Sequence, residues 1–380
     1  MKNLGIKQSS LFRLLSIWFL LAAVASAIES RPSVVTYVDA AGHRRIYSFA
    51  EGNTGHLVVN YWDGFSWHWS DQGLPPGATA VESPSATTYL SGSQQRIYVF
   101  AKANTGHLVV NYWDGFSWHW ADQGLPVGAF AAYNPSAITY LSGGLQRIYV
   151  FATANTGHLV VNYWDGFSWR WADQGKPVGT SGVYRPSAIT YLSGSVQRIY
   201  VFDEGSNGDL VVNYWDGSSW HWADQAGLPL SLSANPSAIT YLSGTQRRIY
   251  AFVEGINGDL LVNYWDGFSW HWADQGLPVG AFAVYNPSAI TYLSGGLQRI
   301  YVFAEGSNGD LVVNYWDGSS WHWADQGLPP GATAVETPSV ITYLSGSQQR
   351  IYVFAKASNG HLVVNYWDGS SWHWADQGNM

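Results

Sequence analysis

Tyr61-Trp62-Asp63-Gly64 is the first of seven copies of one tetrapeptide, and the spacing of these copies decides the fold. Successive tryptophans of the tetrapeptide lie 51, 51, 51, 50, 51 and 51 residues apart. A period of this size, repeated this often, is typical of a closed or stacked repeat architecture. Any site on one repeat is therefore expected in several copies. The seven tryptophans are Trp62, Trp113, Trp164, Trp215, Trp265, Trp316 and Trp367.

The fourth repeat shows how one unit is built. Ser187–Leu192, Gln197–Phe202, Asp209–Trp215 and Ser219–Asp224 are runs rich in β-branched and aromatic residues, with turn residues between them. Asp216-Gly217 is a strong hairpin signal. No segment shows a helical period. Four short antiparallel strands in roughly 40–50 residues make one propeller blade, so the sequence predicts an all-β, seven-bladed β-propeller.

The strand Arg198–Phe202 indicates that each blade is covered on both faces. Side chains alternate along a strand, so Ile199 and Val201 point to one face of the sheet. Tyr200 and Phe202 point to the other, and both faces are apolar. A β-solenoid would leave open ends, and seven separate domains of about 50 residues would be marginal without disulfides. The period leaves open whether the terminal strands share a blade.

The N-terminal segment stands outside the repeats. Lys2, Lys7 and Arg13 make a basic start, Leu14–Val24 is almost entirely apolar, and Ala25-Ser26-Ala27 offers a cleavage site. This layout is typical of a secretory signal peptide and predicts a secreted protein. A retained membrane anchor is the alternative, although the apolar run is short for a bilayer.

Cleavage after residue 27 would leave one propeller domain over residues 28–380. Its acidic character and its lack of cysteine exclude several functions. The domain would carry 15 basic and 26 acidic residues, a net charge of −11, so nucleic acid is not an expected partner. No basic amphipathic helix indicates membrane insertion. The absence of cysteine excludes disulfides and thiol nucleophiles. The repeats start near Pro32, Pro84, Pro135, Pro186, Pro236, Pro287 and Pro338.

The acids and histidines do not predict catalysis or a metal site. Paired-carboxylate catalysis needs two acids in different environments, whereas the prominent acids here recur in every repeat. Asp39, Asp203, Glu82 and Glu336 break the pattern but are scattered. Equivalent histidines lie a blade apart and cannot share zinc. Asn-Gly-Asp turns such as Asn207–Asp209 could hold calcium, but a plain turn is favoured, and we expect no enzyme activity, metal or cofactor.

The Trp-x-Trp strand is the strongest functional lead. Sugars stack on aromatic rings while amides and imidazoles bind their hydroxyls. The tryptophans are Trp67, Trp69, Trp118, Trp120, Trp169, Trp171, Trp220, Trp222, Trp270, Trp272, Trp321, Trp323, Trp372 and Trp374. The histidines between them are His68, His119, His221, His271, His322 and His373. The asparagines two residues before the turn tryptophan are Asn60, Asn111, Asn162, Asn213, Asn263, Asn314 and Asn365. For a single tryptophan, packing is the favoured role, and for the set both roles stay open.

The repeat resembles that of the PLL-type lectins from Photorhabdus. Arg-Ile-Tyr-Val-Phe, Asn-Gly-His/Asp-Leu-Val-Val-Asn-Tyr-Trp-Asp-Gly and Trp-His-Trp-Ala-Asp-Gln-Gly carry the resemblance, which covers Pro32 to Gly378. It implies a multivalent lectin that binds L-fucose or O-methylated sugars between adjacent blades, without catalysis. By motif position, it implies that the Trp-His-Trp strand, the asparagine of Val-Asn-Tyr and the Asn/Thr-Gly-His/Asp turn line the pockets.

Two departures from that pattern predict sites that are not all equivalent. Asp209, Asp259 and Asp310 stand where other repeats have histidine, and Arg170 replaces the histidine of the third Trp-x-Trp strand. The expected partners are glycans on cell surfaces or glycoconjugates, and homo-oligomerisation is left open. The alternatives are a protein-binding scaffold and a propeller-type glycoside hydrolase. The hydrolase would need a unique cluster of arginines and acids, whereas the arginines of Arg-Ile-Tyr recur around the ring and are interpreted as hydrogen-bonded strand residues.

Overall fold

The computed structural model describes residues 31–225 and 235–380, which form seven four-stranded antiparallel sheets. Within these two ranges the chain forms strands and turns, and no helix there is suited to crossing a membrane. This confirms the predicted all-β, seven-bladed propeller with four strands per blade. The predicted signal peptide and the alternative membrane anchor lie outside the described residues.

Each blade consists of four strands that are consecutive in sequence. The innermost strands are β1 Ser33–Val38, β5 Val81–Ser91, β9 Ala132–Ser142, β13 Ser187–Ser193, β17 Ser237–Ser243, β21 Val284–Ser294 and β25 Val335–Ser345. The second strands are β2 Arg44–Glu51, β6 Gln94–Ala103, β10 Leu145–Ala154, β14 Val196–Glu204, β18 Gln246–Glu254, β22 Leu297–Gly306 and β26 Gln348–Ala357. The third strands are β3 Leu57–Trp62, β7 Leu108–Trp113, β11 Leu159–Trp164, β15 Leu210–Trp215, β19 Leu260–Trp265, β23 Leu311–Trp316 and β27 His361–Trp367. The outer strands are β4 Trp67–Asp71, β8 Trp118–Gly124, β12 Trp169–Gly175, β16 Trp220–Asp224, β20 Trp270–Asp274, β24 Trp321–Gly327 and β28 Trp372–Asn379.

The ring closes by contact between the first and last blades. The innermost strand of each blade contacts those of its two neighbours, and β25 contacts β1 in the same way. Every blade is one continuous segment, so the terminal strands do not complete each other's blade. The hydroxyl of Tyr343 in blade 7 donates a hydrogen bond to the carbonyl of Arg44 in blade 1, at 3.2 Å. The indole N–H of Trp69 in blade 1 donates to the carbonyl of Gln377 in blade 7.

The hydrophobic core is divided into seven clusters, and each cluster fills one junction between neighbouring blades. Ile199 and Val201 of blade 4 pack with Phe151 of blade 3. Phe202, on the opposite face of the same strand, packs with Ile249 of blade 5. The alternation seen in the sequence therefore covers both faces of each blade.

The Tyr-Trp-Asp-Gly turn brings two tryptophans together. Trp215 at the end of β15 pairs directly with Trp220 at the start of β16. The hairpin loop between them holds four residues rather than the two expected from Asp-Gly. The Asp216 carboxylate accepts the backbone N–H groups of Ser218 and Ser219 at 2.7 and 2.9 Å, which fixes this wider loop. Gly217 has φ of 109°, a conformation that side chains disfavour.

Candidate functional site

The candidate site is the crevice between two adjacent blades. Each crevice is named here by its blades, so crevice 4/5 lies between blades 4 and 5. Crevice 4/5 encloses about 540 Å³ and crevice 3/4 about 380 Å³, both within the range of small-molecule sites. Blade 4 contributes Arg198, Tyr200, Val212, Tyr214, Ala223, Asp224 and Gln225 to crevice 4/5, and blade 5 contributes Asn263, Trp265, Trp270 and Trp272.

The first tryptophan of each Trp-x-Trp pair packs against the preceding blade. Trp270 meets Phe202 of blade 4 edge to face, with ring centroids 5.8 Å apart. It also lies 5.7 Å from the turn tryptophan Trp265. The same edge contact with a phenylalanine of the preceding blade occurs at all seven junctions. These indole side chains therefore hold neighbouring blades together, and they also form one wall of the crevice.

The second tryptophan of each pair has a structural hydrogen bond. The indole N–H of Trp272 donates to the carbonyl of Gln225 in blade 4, at 2.7 Å. An equivalent bond to the preceding blade occurs at all seven junctions. The polar group of this tryptophan is thus already satisfied, and only its ring surface can contact a ligand.

The predicted asparagines combine deep burial with an unsatisfied acceptor. Asn263 is 1% exposed, and its Nδ2 donates to the carbonyl of His271 on the neighbouring strand, at 3.4 Å. Its Oδ1 has no hydrogen-bond partner among the residues that the structure describes, and the same holds for all seven equivalent asparagines. A buried acceptor without a partner costs on the order of 1–3 kcal/mol. Asn263 also lines crevice 4/5, so this amide lies beside the indole surfaces of that crevice.

The predicted histidines lie on the opposite face of the outer strand. His221 pairs with Tyr214 across the sheet and packs against its ring at a tilt of 31°, with centroids 5.2 Å apart. Its Nε2 lies 2.9 Å from both Ser219 Oγ and Asp216 Oδ2. Tyr214 lines crevice 4/5, whereas His221 is not among its lining residues. The structure therefore brings the tryptophans and asparagines together on one wall and places the histidines beyond the edge of the facing wall.

The Asp-Ser-His clusters lack the arrangement of a catalytic triad. In a triad, one imidazole nitrogen contacts the serine and the other contacts the carboxylate, so that the ring can carry a proton between them. In all six clusters the same Nε2 meets both groups, as in His271 with Ser269 and Asp266. The backbone N–H groups of the turn and then the histidine hold the pKa of Asp266 at about 2. This aspartate is a turn-capping group.

Arginine and tyrosine form the wall that the sequence interpretation missed. Arg198 and Tyr200 lie on the face of blade 4 that looks toward blade 5, and both line crevice 4/5. The Nε of Arg198 is buried without a partner, as it is in the equivalent arginines of blades 2 to 7. Burial raises the pKa of Tyr200, and the neighbouring Arg198 opposes that rise, so the phenol stays protonated. An arginine in an otherwise apolar strand was the signal available in the sequence.

Blade 1 differs from the other blades at this arginine. Arg45 forms two hydrogen bonds with the carboxylate of Asp39, at 3.0 and 2.7 Å, and one with the carbonyl of Asp63. The interpretation of these arginines as hydrogen-bonded strand residues is therefore correct for blade 1. Crevice 1/2 has an arginine whose charge is already paired.

The two departures from the repeat have different outcomes. Arg170 takes over the contact of the missing histidine, because its Nε lies 2.8 Å from Asp165 Oδ2. In the turn after the second strand, His56 pairs with Asp71 at 2.9 Å. Asp209 stands in that position in blade 4, and its pKa is raised by burial and by the nearby Asp224 carboxylate. No group of three metal-ligating side chains occurs among residues 31–225 and 235–380.

A further cavity lies among the inner strands and has a different character. It encloses about 230 Å³ and is lined by the residues around the proline that starts each repeat, such as Ser83, Asn134 and Arg185. No aromatic side chain lines it among the described residues. Unlike this cavity, crevice 4/5 combines indole surfaces with residues whose buried polar atoms are unsatisfied.

The comparisons with known proteins identify the architecture. No family model and no curated protein matches the chain. The BP39L lectin from Burkholderia pseudomallei has a similar structure, with a TM-score of 0.70 at 20% identity over 93% of this chain and 99% of that chain. AofleA from Arthrobotrys oligospora gives 0.54 at 16% identity over 78% and 86% of the two chains. The Aleuria aurantia lectin, a six-bladed propeller that recognises fucose, gives 0.52 at 18% identity over 77% and 94%. These similarities establish the β-propeller fold.

Proposed function

We propose that this protein is a multivalent lectin that binds L-fucose or related O-methylated sugars in its interblade crevices. Two of the structurally similar propellers are lectins, and the Aleuria protein recognises fucose. The motifs that resemble the PLL-type lectins support the same assignment and suggest membership of that group. Under this proposal the molecule binds sugar reversibly and catalyses no reaction.

One observation carries the proposal: crevice 4/5 combines stackable indole surface with a buried, unpartnered asparagine oxygen, and the same tryptophans and asparagines recur in all seven blades. In crevice 4/5 that oxygen belongs to Asn263, beside Trp265 and Trp270. The facing wall adds the buried Nε donor of Arg198 and the phenol of Tyr200. Apolar sugar faces stack on aromatic rings, while hydroxyls need both donors and acceptors. The crevice supplies all three kinds of group.

The two alternative functions have weaker support. A propeller glycosidase would need a distinctive cluster of acids and arginines, whereas each arginine of Arg-Ile-Tyr lies in a different blade. A protein-binding scaffold would not require the repeated unsatisfied acceptors of the crevices. The neighbouring BP39L and Aleuria proteins are lectins rather than enzymes.

Multivalency would follow from the ring. Seven crevices on one rigid scaffold could engage a surface that carries many copies of one sugar. Linking weak sites in this way raises the overall affinity by roughly 10²–10⁴ over a single site, provided that several sites can bind together. Secretion, suggested by the N-terminal sequence, would bring the protein to glycans on cell surfaces. N-terminal sequencing of exported protein should then begin at Ile28.

Titration calorimetry with L-fucose tests the assignment. We expect heat of binding and saturation at several sugars per chain, and we expect L-fucose to displace the protein from a fucosylated glycan array. D-Fucose, the mirror-image sugar, is the matched control and should compete poorly. If L-fucose gives no heat and no array signal appears at high protein concentration, the fucose assignment is wrong.

A further inference from the structure

The seven crevices are not closed in the same way at their hairpin end. In five blades, a glutamine at the start of the second strand reaches to the preceding blade. Gln197 Oε1 accepts the backbone N–H of Leu141 in blade 3, at 2.6 Å. The same clamp occurs at junctions 1/2, 2/3, 5/6 and 6/7 through Gln95, Gln146, Gln298 and Gln349.

Arginine occupies the clamp position in the remaining two blades. Arg247 pairs with Leu242 in the first hairpin of blade 5, just as Gln197 pairs with Leu192 in blade 4. Arg44 holds the same position opposite Val38 in blade 1. Arginine has no acceptor for a backbone N–H, so these residues cannot form the clamp. Junctions 4/5 and 7/1 therefore lack it.

The clamp position lies at the edge of the crevice. In crevice 3/4, Tyr140 and Ser142 line the cavity on either side of Leu141, whose N–H the clamp binds. The hydroxyl of Tyr140 also donates to the carbonyl of Gln197, at 3.2 Å. At junction 4/5, Tyr191 makes the same contact with the carbonyl of Arg247. Arg247 therefore stands at the corresponding edge of crevice 4/5.

Within residues 31–225 and 235–380, no carboxylate forms an ion pair with the guanidinium group of Arg44 or Arg247. Both residues are exposed. Among the described residues, the arginines that form ion pairs are Arg45 and Arg170. Crevice 4/5 also contains Arg198, whose buried Nε has no partner, and crevice 7/1 contains its equivalent Arg350. Junctions 4/5 and 7/1 thus have an arginine at the clamp position in addition to Arg198 or Arg350, whereas the clamped junctions have a glutamine there.

The negative charge near crevice 4/5 lies at its other end. Asp224 lines the cavity at the end of the outer strand, where it pairs with Val211. Arg198, by contrast, pairs with Tyr191 near the hairpin end of the inner strand. A sugar stacked on Trp265 and Trp270 would place a substituent toward either end.

We propose that crevices 4/5 and 7/1 bind saccharides carrying a negatively charged substituent, a sulfate ester or a carboxylate, more tightly than the five clamped crevices do. This proposal rests on the proposed lectin function. Guanidinium groups form paired hydrogen bonds with planar or tetrahedral oxyanions, which makes arginine suited to this recognition.

The test compares neutral and charged ligands of similar size. Methyl α-L-fucoside, its sulfate ester, and L-galacturonic acid, in which a carboxylate replaces the methyl group of L-fucose, are titrated by calorimetry. Native mass spectrometry counts the molecules bound. We expect two of the sites to bind at least one of the charged sugars about tenfold more tightly than the rest, the value of one charge-assisted hydrogen bond. The difference should shrink between 0.1 and 1 M salt.

Two variants and one control locate the effect. Arg44→Gln with Arg247→Gln installs the side chain found in the other five blades, so the fold should be retained and the tight class should disappear. Gln146→Arg should add a third tight site at junction 2/3. Lys176→Gln, in a link between blades, removes one charge elsewhere and should change nothing.

The outcomes separate this proposal from the proposed function. Neutral fucoside binding that is unchanged in the double variant, together with loss of the tight class for charged sugar, supports both. If the neutral fucoside binds but no charged sugar prefers two sites, or if the double variant keeps that preference, the inference is wrong and the lectin assignment stands. If no sugar binds at all, both are wrong.

Discussion

The two faces of the sheet formed by the third and outer strands of a blade have opposite hydrogen-bonding states. On one face, His271 has its Nε2 in contact with both Ser269 and Asp266. On the other, the oxygen of Asn263 is buried without a partner beside Trp270. The polar side chains of the histidine face bond to one another, whereas the asparagine oxygen lacks a hydrogen-bond donor that a ligand could provide.

Substituting the seven asparagines in one variant and the six histidines in another should give the largest difference in affinity for L-fucose. Replacing Asn60 and its six equivalents by leucine removes the buried acceptor at a similar side-chain volume. We expect the affinity for L-fucose to fall about hundredfold, because a sugar hydroxyl would be left unpaired. Replacing the six histidines by alanine should leave affinity within about threefold. Calorimetry measures both, and a greater loss in the histidine variant would contradict the assignment of the binding wall.

Asp203 can be compared with the crevice asparagines, because it also has a buried oxygen without a partner but does not line crevice 3/4 or 4/5. Its Oδ1 accepts three backbone N–H groups, from Tyr184, Arg185 and Glu204, while its Oδ2 is buried without a partner. Burial raises its pKa to about 7. The unfolded carboxyl ionises near pH 4 while the folded one stays protonated, so stability should decline as pH rises from about 4 to about 7.

Asp203→Asn should remove that dependence. The amide keeps the Oδ1 acceptor and cannot ionise, so the variant should be more stable than the native protein at pH 8, by an amount on the order of a few kcal/mol. At pH 4 the two should be nearly equal. Urea unfolding at both pH values provides the measurement. L-Fucose binding should not change, since this site is structural. If the difference in free energy of unfolding between the variant and the native protein does not grow as pH rises, the pKa of Asp203 is not raised.

The indole hydrogen bonds between blades provide a smaller, purely structural test. Trp222→Phe removes the N–H that donates to the carbonyl of Gln174 at 2.8 Å. It should lower the free energy of unfolding by about 1–3 kcal/mol, because the carbonyl loses its donor. Trp215→Phe is the matched control on the same wall. Thermal and urea denaturation should show that Trp222→Phe is the less stable variant. The reverse order would mean that the hydrogen bond from Trp222 to Gln174 does not stabilise the fold.

Acid titration of the turn aspartates should give the smallest effect. The pKa of Asp63 is lowered to about 2, first by the backbone N–H groups of Ser66 and Phe65 and then by His68. Its stabilising contribution should be complete above about pH 4 and be lost as pH falls toward about 2. NMR titration of the carboxyl carbon should show a midpoint near 2. A midpoint near 4 would mean that the turn does not hold the carboxylate as described.

The sequence predicted the fold in detail because each repeat contains all the strand and turn residues of one blade. Ser187–Leu192 and Gln197–Phe202 lie within strands β13 and β14, and the turn before Trp220 is present. Because side chains alternate along a strand, the histidine of each Trp-x-Trp strand points away from its two flanking tryptophans. The hairpin loop proved longer than Asp-Gly suggested, because the Asp216 carboxylate caps two further backbone groups.

The site was less accessible to sequence reasoning, because it lies between two repeats. Strand periodicity places Arg198 and Tyr200 on one face, but it does not show that this face meets the tryptophans of the next blade. Hydrogen-bond satisfaction is likewise invisible in a sequence. Arg45 and Arg198 belong to the same motif, yet of the two only Arg45 forms an ion pair with a described carboxylate, that of Asp39 in the first hairpin.

A crystal structure of the protein soaked in methyl α-L-fucoside tests the central claim most directly. We predict sugar density in the interblade crevices, stacked on the paired tryptophans, with a hydroxyl within hydrogen-bond distance of the asparagine Oδ1. Density confined to the cavity among the inner strands, or crevices that stay empty at saturating sugar, would contradict it.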